Sequence, residues 1–325
     1  MSRVIGMGEI MIKMNPVEKG PLKYQRLFER FVAGSEGNVI IQMQRLGIQT
    51  TFITAVGSDP FGEVIISTLN SEGVDTKFVK IDSKHPTGLY FVQRGYPVQD
   101  KTKVFYYRKG SAASFISESD IDEKLFDSID MFFLSGITPA LSKQCRNAAL
   151  KVIELCNKKN VDFVFDTNIR INLLKTRKTA MNILKPFIEN SKILFTGVGD
   201  LKFLFGRELE TNIKELRKIA KNAELIIVKK GGEGSTCFDI NQNTIVEHKA
   251  FKVEVEDEIG AGDSFDGTFL AAKLKGYSLE ECLKYANAAG AITVSLKGDI
   301  EPLPNWNDLK LFIEMYEKDK EKLTR

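Results

Sequence analysis

Residues Gly260, Ala261, Gly262 and Asp263 stand at the head of the segment "DSFDGTFLAAKLKG", whose apolar positions Phe265, Phe269, Ala272 and Leu274 fit a helix beginning near Asp263. Three small residues in a row let the backbone come close to a ligand. A glycine turn that runs into a helix start makes an anion hole, because unpaired N–H groups and the helix dipole point at the same spot. An aspartate placed there is expected to stay ionised beside an arriving phosphoryl group, where a base would take the proton of a substrate hydroxyl. The same spacing also fits an aspartate that only caps a helix. Spacing alone does not choose between them.

Three further clusters carry chemistry. "AGSEGN" (33–38) puts a second glycine-rich turn ahead of the helical "VIIQMQRLG", where backbone amides and Asn38 could hold sugar hydroxyls. "KKGGEG" (229–234) follows the apolar run "LIIV" and suits phosphate or nucleotide contact, although by itself it is a hairpin turn. "FDTNIR" (165–170) closes a buried strand with Asp166, Asn168 and Arg170 at alternate positions, hence on one side. Arg170 and Arg108 are the cations best placed to grip a carboxylate or phosphate through a planar guanidinium. Two other nucleotide signatures are missing: the dipeptide Gly-Lys occurs nowhere, and "GMGEIM" (6–11) has Met11 where a dinucleotide fingerprint needs its third glycine. An NAD-dependent oxidoreductase is therefore disfavoured.

These clusters need a scaffold that brings strand ends together. Short β-branched or apolar runs at 3–9, 50–57, 131–136, 161–168, 192–197 and 224–232 alternate with helical periodicity, as in "QCRNAALKVIELCNKKN" ahead of the DTN segment. Such repetition implies a largely parallel sheet with right-handed crossovers, and ligands of such sheets sit at the carboxyl ends of the strands. Residues 88–108 break the pattern with two aromatic-rich runs and a polar connection, a β-hairpin, and Ile10 to Phe31 reads as strand and loop. Together they predict a small sheet projecting as a lid, because exposed aromatics on a hairpin need a surface to cover them; the alternative is an edge hairpin packed on the core.

Composition narrows the class. The 325 residues, 43% of them hydrophobic, can bury one large α/β core, and a net charge of +3 shows no basic stripe for nucleic acid or a membrane surface. Cys145, Cys156, Cys237 and Cys282 form no CxxC pair, and with only His85 and His248 beside them a structural zinc site is excluded. Scattered thiols suit a reducing compartment. The N-terminus has no signal-peptide stretch and no run approaches the ~20 apolar residues of a membrane span, so the expected setting is soluble and cytoplasmic.

In this order the clusters resemble the ribokinase-like (PfkB) carbohydrate kinases, and among them are most similar to the 2-keto-3-deoxygluconate kinases. The carriers are "AGSEGN", "TGLYFVQRGYP" (87–97), "VFYYRKGSA" (104–112), "SGITPAL" (135–141), "DTNIR" (166–170), "GAGDSF" (260–265) and "KGDIEPLP" (297–304). The resemblance implies one ribokinase-like domain over 1–325, a three-layer α/β/α sandwich with a mostly parallel sheet and a small β-sheet lid from about 10–33 and 87–112. It implies that Asp263 is the general base and that Gly260, Ala261 and Gly262 form the hole for the transferred phosphoryl group. Asn168, Arg170 and the run Lys230, Gly231, Gly232, Glu233, Gly234 and Ser235 would contact ATP. The sugar acid would meet Gly34, Tyr90, Tyr106, Arg108, Arg170 and Asp299. Arg108 and Arg170 suit a carboxylate, on the argument that a neutral sugar would leave a buried arginine unpaired.

Phosphoryl transfer also calls for Mg²⁺ on the ATP phosphates. Here the family's Asn-x-x-Glu motif is replaced by Gly197 and Asp200 within "TGVGDLKFLFG", which leaves Asp200 as the metal candidate, acting through water. The expected reaction is ATP-dependent phosphorylation of 2-keto-3-deoxygluconate, or its galactonate epimer, at the 6-hydroxyl. The alternatives are a ribokinase- or fructokinase-type kinase of a neutral sugar and a sugar-binding regulator without catalysis. A homo-oligomer is expected if the aromatic hairpin also covers a partner's site.

Overall fold

The computed structural model describes residues 2–99 and 101–323, with side chains described as far as Lys318. In chain order the strands are β1 (Arg3–Met7), β2 (Met11–Pro16), β3 (Phe28–Ala33), β4 (Gln49–Gly57), β5 (Val79–Asp82), β6 (Leu89–Arg94), β7 (Thr102–Tyr107), β8 (Met131–Ser135), β9 (Asp162–Asp166), β10 (Ile193–Gly197), β11 (Leu225–Lys229), β12 (Ser235–Asp239) and β13 (Thr244–His248). The helices are α1 (Ser35–Arg45), α2 (Pro60–Ser71), α3 (Ile137–Leu141), α4 (Lys143–Lys159), α5 (Ile171–Leu174), α6 (Arg177–Asn190), α7 (Val198–Phe205), α8 (Leu209–Ile219), α9 (Ala261–Leu274), α10 (Leu279–Val294) and α11 (Trp306–Leu323).

Nine strands form one sheet in the order β13-β12-β11-β10-β9-β8-β1-β4-β5. From β11 to β5 every neighbouring pair is parallel, and β12 and β13 add an antiparallel edge. Parallel strands need covering on both faces, and their near-continuous apolar runs supply side chains to each. On β1, β8 and β10 the residues Val4, Met131, Phe133, Ile193 and Phe195 face a core built with α1, α9, α10 and α11. Their neighbours Ile5, Phe132, Leu134 and Leu194 face a second core built with α4, α6, α7 and α8. The three-layer α/β/α architecture follows from this period-2 alternation.

Local signals set the helix ends. Asp59 caps α2, accepting from the N–H groups of Phe61 (3.1 Å) and Gly62 (2.9 Å), with Pro60 at the first helical position. Ser142 caps α4 through the Cys145 N–H, and Asn160 ends it in the left-handed conformation at φ 56°. The four cysteines are buried thiols in the core. Among the described residues no helix is long and apolar enough to cross a membrane.

The second sheet has the order β3-β2-β6-β7, with β6 and β7 forming the hairpin expected for 88–108 and β2 and β3 lying in the 10–33 stretch. Its inner face brings Met11, Ala33, Tyr90, Val92, Val104 and Tyr106 against Ile259, one residue ahead of the Gly260 turn. The segment "KKGGEG" is a hairpin turn as its pattern allowed, joining antiparallel β11 and β12 through a tight turn at Gly231–Glu233.

Candidate active site

The first turn of α9 is the centre of the site. Gly260 lies at φ 87°, a left-handed conformation that a side chain would strain, and it turns the chain so that α9 begins at Ala261. The first N–H groups of a helix have no intrahelical acceptor. Among the described residues no other backbone carbonyl takes those of Ala261, Gly262 or Asp263. Asp263 is the third helical residue rather than the cap, and its carboxylate turns away from the backbone toward α1. There it accepts from Ser35 Oγ at 2.7 Å and Asn38 Nδ2 at 2.9 Å. The capping alternative therefore falls. Burial pushes the Asp263 carboxyl up to about 6, opposed by the bonds from Ser35 and Asn38 and by the charges of Arg170 and Lys229, so it stays mainly ionised at neutral pH but takes up a proton more readily than an ordinary carboxylate.

Asp263 opens into a polar cavity of about 410 Å³ that brings together all the residues expected to meet a sugar acid: Gly34, Tyr90, Tyr106, Arg108, Arg170 and Asp299. Gly34 is there for close approach, since a Cβ at that position would stand 2.8 Å from the Ile10 Cα and run into the Glu9 carbonyl. Tyr90 donates to Asp299 at 3.1 Å. Asp299 in turn accepts from Lys13 at 2.7 Å, and Lys13 reaches Asp257 at 2.8 Å, with no exposure of the lysine. Burial works against the Lys13 ammonium, but Asp299 and Asp257 hold its pKa above the ordinary lysine value. Burial likewise raises Asp299 although Lys13 opposes it.

Arg108 corrects one step of the sequence reading. Its Nε donates to Glu9 Oε2 at 2.6 Å, its Nη2 makes a second contact to the same oxygen, and Glu9 also receives the Ser111 hydroxyl. Arg108 thus has a buried counter-ion in its own chain, so a neutral sugar would not leave it unpaired. Glu9 occupies the Nε edge of the guanidinium and leaves Nη1 for an incoming acceptor. Arg170 has no hydrogen-bond or ion-pair partner among the described side chains, but it is exposed rather than buried, so the argument from a buried unpaired arginine does not hold for it either. It lines the cavity and acts on Asp263 through its charge.

A second cavity of about 670 Å³ lies across the α9 turn. Gly231, Gly232 and Gly234 border it with Ala261 and Gly262, and Phe251, Val253, Phe265, Ala291 and Val294 make its apolar wall. Of the residues expected around ATP, the glycines lie here. Asn168 and Arg170 line the first cavity, where Asn168 donates to Ser35 Oγ at 2.6 Å. Lys230 is drawn off to Glu247 at 2.9 Å, Glu233 is exposed outside the lining, and Ser235 is buried beneath Asn287, which donates to its hydroxyl at 2.7 Å. Asp200 lines the first cavity with Gly197, accepting from Thr167 Oγ1 (2.6 Å) and the Ile169 N–H (3.2 Å). Burial, then the neighbouring Asp166, raises its pKa.

Sequence reasoning missed Lys13, Glu9 and Lys229. Lys229 ends β11 with its ammonium between Asp166 (3.0 Å) and Asp266 (2.9 and 2.8 Å). Its signal was available, a lysine at a strand end two residues before the glycine turn. Lys13 also left a trace, a single cation inside the apolar strand "MIKMNP".

A profile of the pfkB family carbohydrate kinases matches residues 1–306. A 2-dehydro-3-deoxygluconokinase from Thermoproteus tenax is 36% identical over 310 residues, which is 94% of this chain and 92% of that one. A 5-dehydro-2-deoxygluconokinase from Halalkalibacterium halodurans is 30% identical over 316 residues, 96% and 94% of the two chains. The crystal structure of a putative ribokinase II from E. coli, in complex with ATP and Mg²⁺, superposes with a TM-score of 0.88 at 25% identity, covering 97% of this chain and 100% of that one. With an aspartate at a glycine turn between two cavities, and a family match spanning nearly the whole sequence, the chain belongs to the pfkB family of carbohydrate kinases.

Proposed function

We propose that this protein transfers the terminal phosphoryl group of ATP to the 6-hydroxyl of 2-keto-3-deoxygluconate, with Asp263 as the general base. The observation that carries the substrate assignment is a sugar cavity holding two guanidinium groups, of which Arg170 has no counter-ion among the described side chains. A substrate carboxylate supplies that charge. Arg108, aimed by Glu9, offers its remaining N–H groups to the same acid, and Tyr90, Tyr106 and Asp299 meet hydroxyl and keto oxygens. Both curated relatives above are named for keto-deoxy-gluconates, and the one with higher identity is the 2-keto compound.

The apolar wall of the second cavity suits an adenine ring, and its glycines let phosphates approach the start of α9. The base draws the proton from the 6-hydroxyl while the open N–H groups of Ala261 and Gly262 take charge from the phosphoryl oxygens. Mg²⁺ bound with ATP would neutralise phosphate charge. Among the described residues no three His, Cys, Asp or Glu side chains converge as a metal cage, so the donor set fits a metal carried by the phosphates and met by Asp200 and Asp166 through water. The small sheet acts as a lid whose inner face closes over the sugar. On its outer face Phe28, Phe91 and Tyr107 pack edge to face with Tyr107 66% exposed, and a second copy covers them in a homo-oligomer. Sedimentation that finds only monomer would contradict that assembly.

The deciding experiment is ADP release over a panel of 2-keto-3-deoxygluconate, its galactonate epimer, 5-keto-2-deoxygluconate, ribose and fructose, with wild type and Arg108→Ala. The 2-keto acids are expected to give the highest kcat/KM, and Arg108→Ala to raise KM for them about 10- to 100-fold, the cost of one charged hydrogen-bonding group. Preference for ribose or fructose, or an unchanged KM in Arg108→Ala, would overturn the acid assignment.

A further inference from the structure

We propose that Lys229 is a further catalytic residue, one that contacts the phosphoryl group as it passes from the nucleotide cavity to the sugar cavity. The inference rests on the reading of the two cavities given above. Among the described residues Lys229, Glu258 and Gly262 line both cavities, and Lys229 is the cation among them. A group handed from one cavity to the other passes its ammonium.

Position and hydrogen-bond count support the role. Lys229 stands at the carboxyl end of β11, and its Nζ is 3.5 Å from where a Cβ on Gly262 would be, so it flanks the open N–H groups at the start of α9. Asp266 and Asp166 are buried to 0% and 3% exposure, whereas the lysine side chain keeps 19%. An ammonium has three hydrogens. One shared by the two oxygens of Asp266 and one given to Asp166 leave a third for an incoming oxygen. Two buried carboxylates within 3.0 Å hold the ammonium as a fixed cation rather than a proton donor. The two aspartates then position the lysine, as buried partners aim a charged group elsewhere in catalysis.

In the transfer the bond from phosphorus to the bridging oxygen of ATP breaks with its electron pair going to ADP. A bond forms from phosphorus to the sugar hydroxyl oxygen, whose proton passes to Asp263. The three equatorial oxygens carry negative charge throughout, and Lys229 meets them with its free N–H. A fixed cation placed there lowers the barrier without reorganising.

The test uses Lys229→Gln and Lys229→Arg, with ADP binding measured alone and with aluminium fluoride plus the sugar acid. Lys229→Gln is expected to lower kcat about 100- to 1000-fold, the range for losing one preorganised charge-stabilising donor. Both KM values should move less than threefold (roughly, since ground-state contacts are spared). ADP alone should bind as in wild type, while the tighter binding brought by aluminium fluoride is lost. A lysine that only props the fold would instead weaken ADP binding and both KM values together, and that result, or a kcat within tenfold of wild type, would overturn the proposal. If Lys229→Gln does not fold, Lys229→Arg keeps the ion pairs but moves the charge: a normal melting temperature with kcat reduced at least tenfold supports the role, and wild-type kcat refutes it. Wild type unable to use the keto acid but active on another sugar would sink the substrate assignment alone, and the Lys229 comparison then runs on that sugar.

Discussion

Asp263 shows how burial and hydrogen bonding contend at a single residue. Its carboxyl rises from an ordinary 3.8 to about 6 because desolvation outweighs Ser35 and Asn38. The folded protein therefore holds this proton more tightly than the unfolded chain does. Stability from that proton is present below the unfolded value and is lost as pH climbs through about 6. A shift of that size corresponds to about 3 kcal/mol carried by the charged form at neutral pH. Asp263→Asn should accordingly melt no earlier than wild type at pH 8, and the gap should close at pH 5. A variant less stable than wild type at pH 8 would show that the carboxylate's hydrogen bonds outweigh its burial.

Between elements, the decisive contacts join the small sheet to the loops around α9. Lys13 on β2 is locked to Asp257 and Asp299, and Asp257 also accepts from the Ile259 N–H at 3.1 Å, just before the Gly260 turn. Arg94 at the end of β6 pairs with Glu256 in the same loop. Seating of the sheet and the shape of the Gly260 turn are therefore one arrangement. Removing the cation leaves two buried carboxylates without a partner, so Lys13→Met should lose about 3–5 kcal/mol in urea unfolding. Adding Asp299→Asn should return part of it. A loss under about 1 kcal/mol would place Lys13 among pairs of little energetic weight.

Across the whole molecule, what the sequence disclosed and what it hid divide by separation along the chain. The parallel sheet was legible because strands such as "LIIVK" are apolar on both faces, a local property. The glycine turns and the polar residues at strand ends were legible for the same reason, and the fold gathers turns from both sheets around the carboxyl ends of β9, β10 and β11. The ion pairs were not. Lys13 meets partners 244 and 286 residues away and Arg108 meets Glu9 at a separation of 99, so only the tertiary fold reveals that Arg108 is already neutralised. The same holds for Lys229, whose meaning depends on two cavities meeting at one ammonium.

The central claim is that Asp263, at the junction of those cavities, takes the proton of the sugar hydroxyl. It is tested most directly by ADP release from ATP and 2-keto-3-deoxygluconate, followed from pH 5 to 8 for wild type and Asp263→Asn. Wild-type kcat/KM should fall as pH drops through about 6, where the base becomes protonated. Asp263→Asn should be about 100- to 10 000-fold slower at pH 8, the contribution of a positioned general base, and should lose that inflection. Equal rates in the two proteins, or the same inflection in both, would contradict the account.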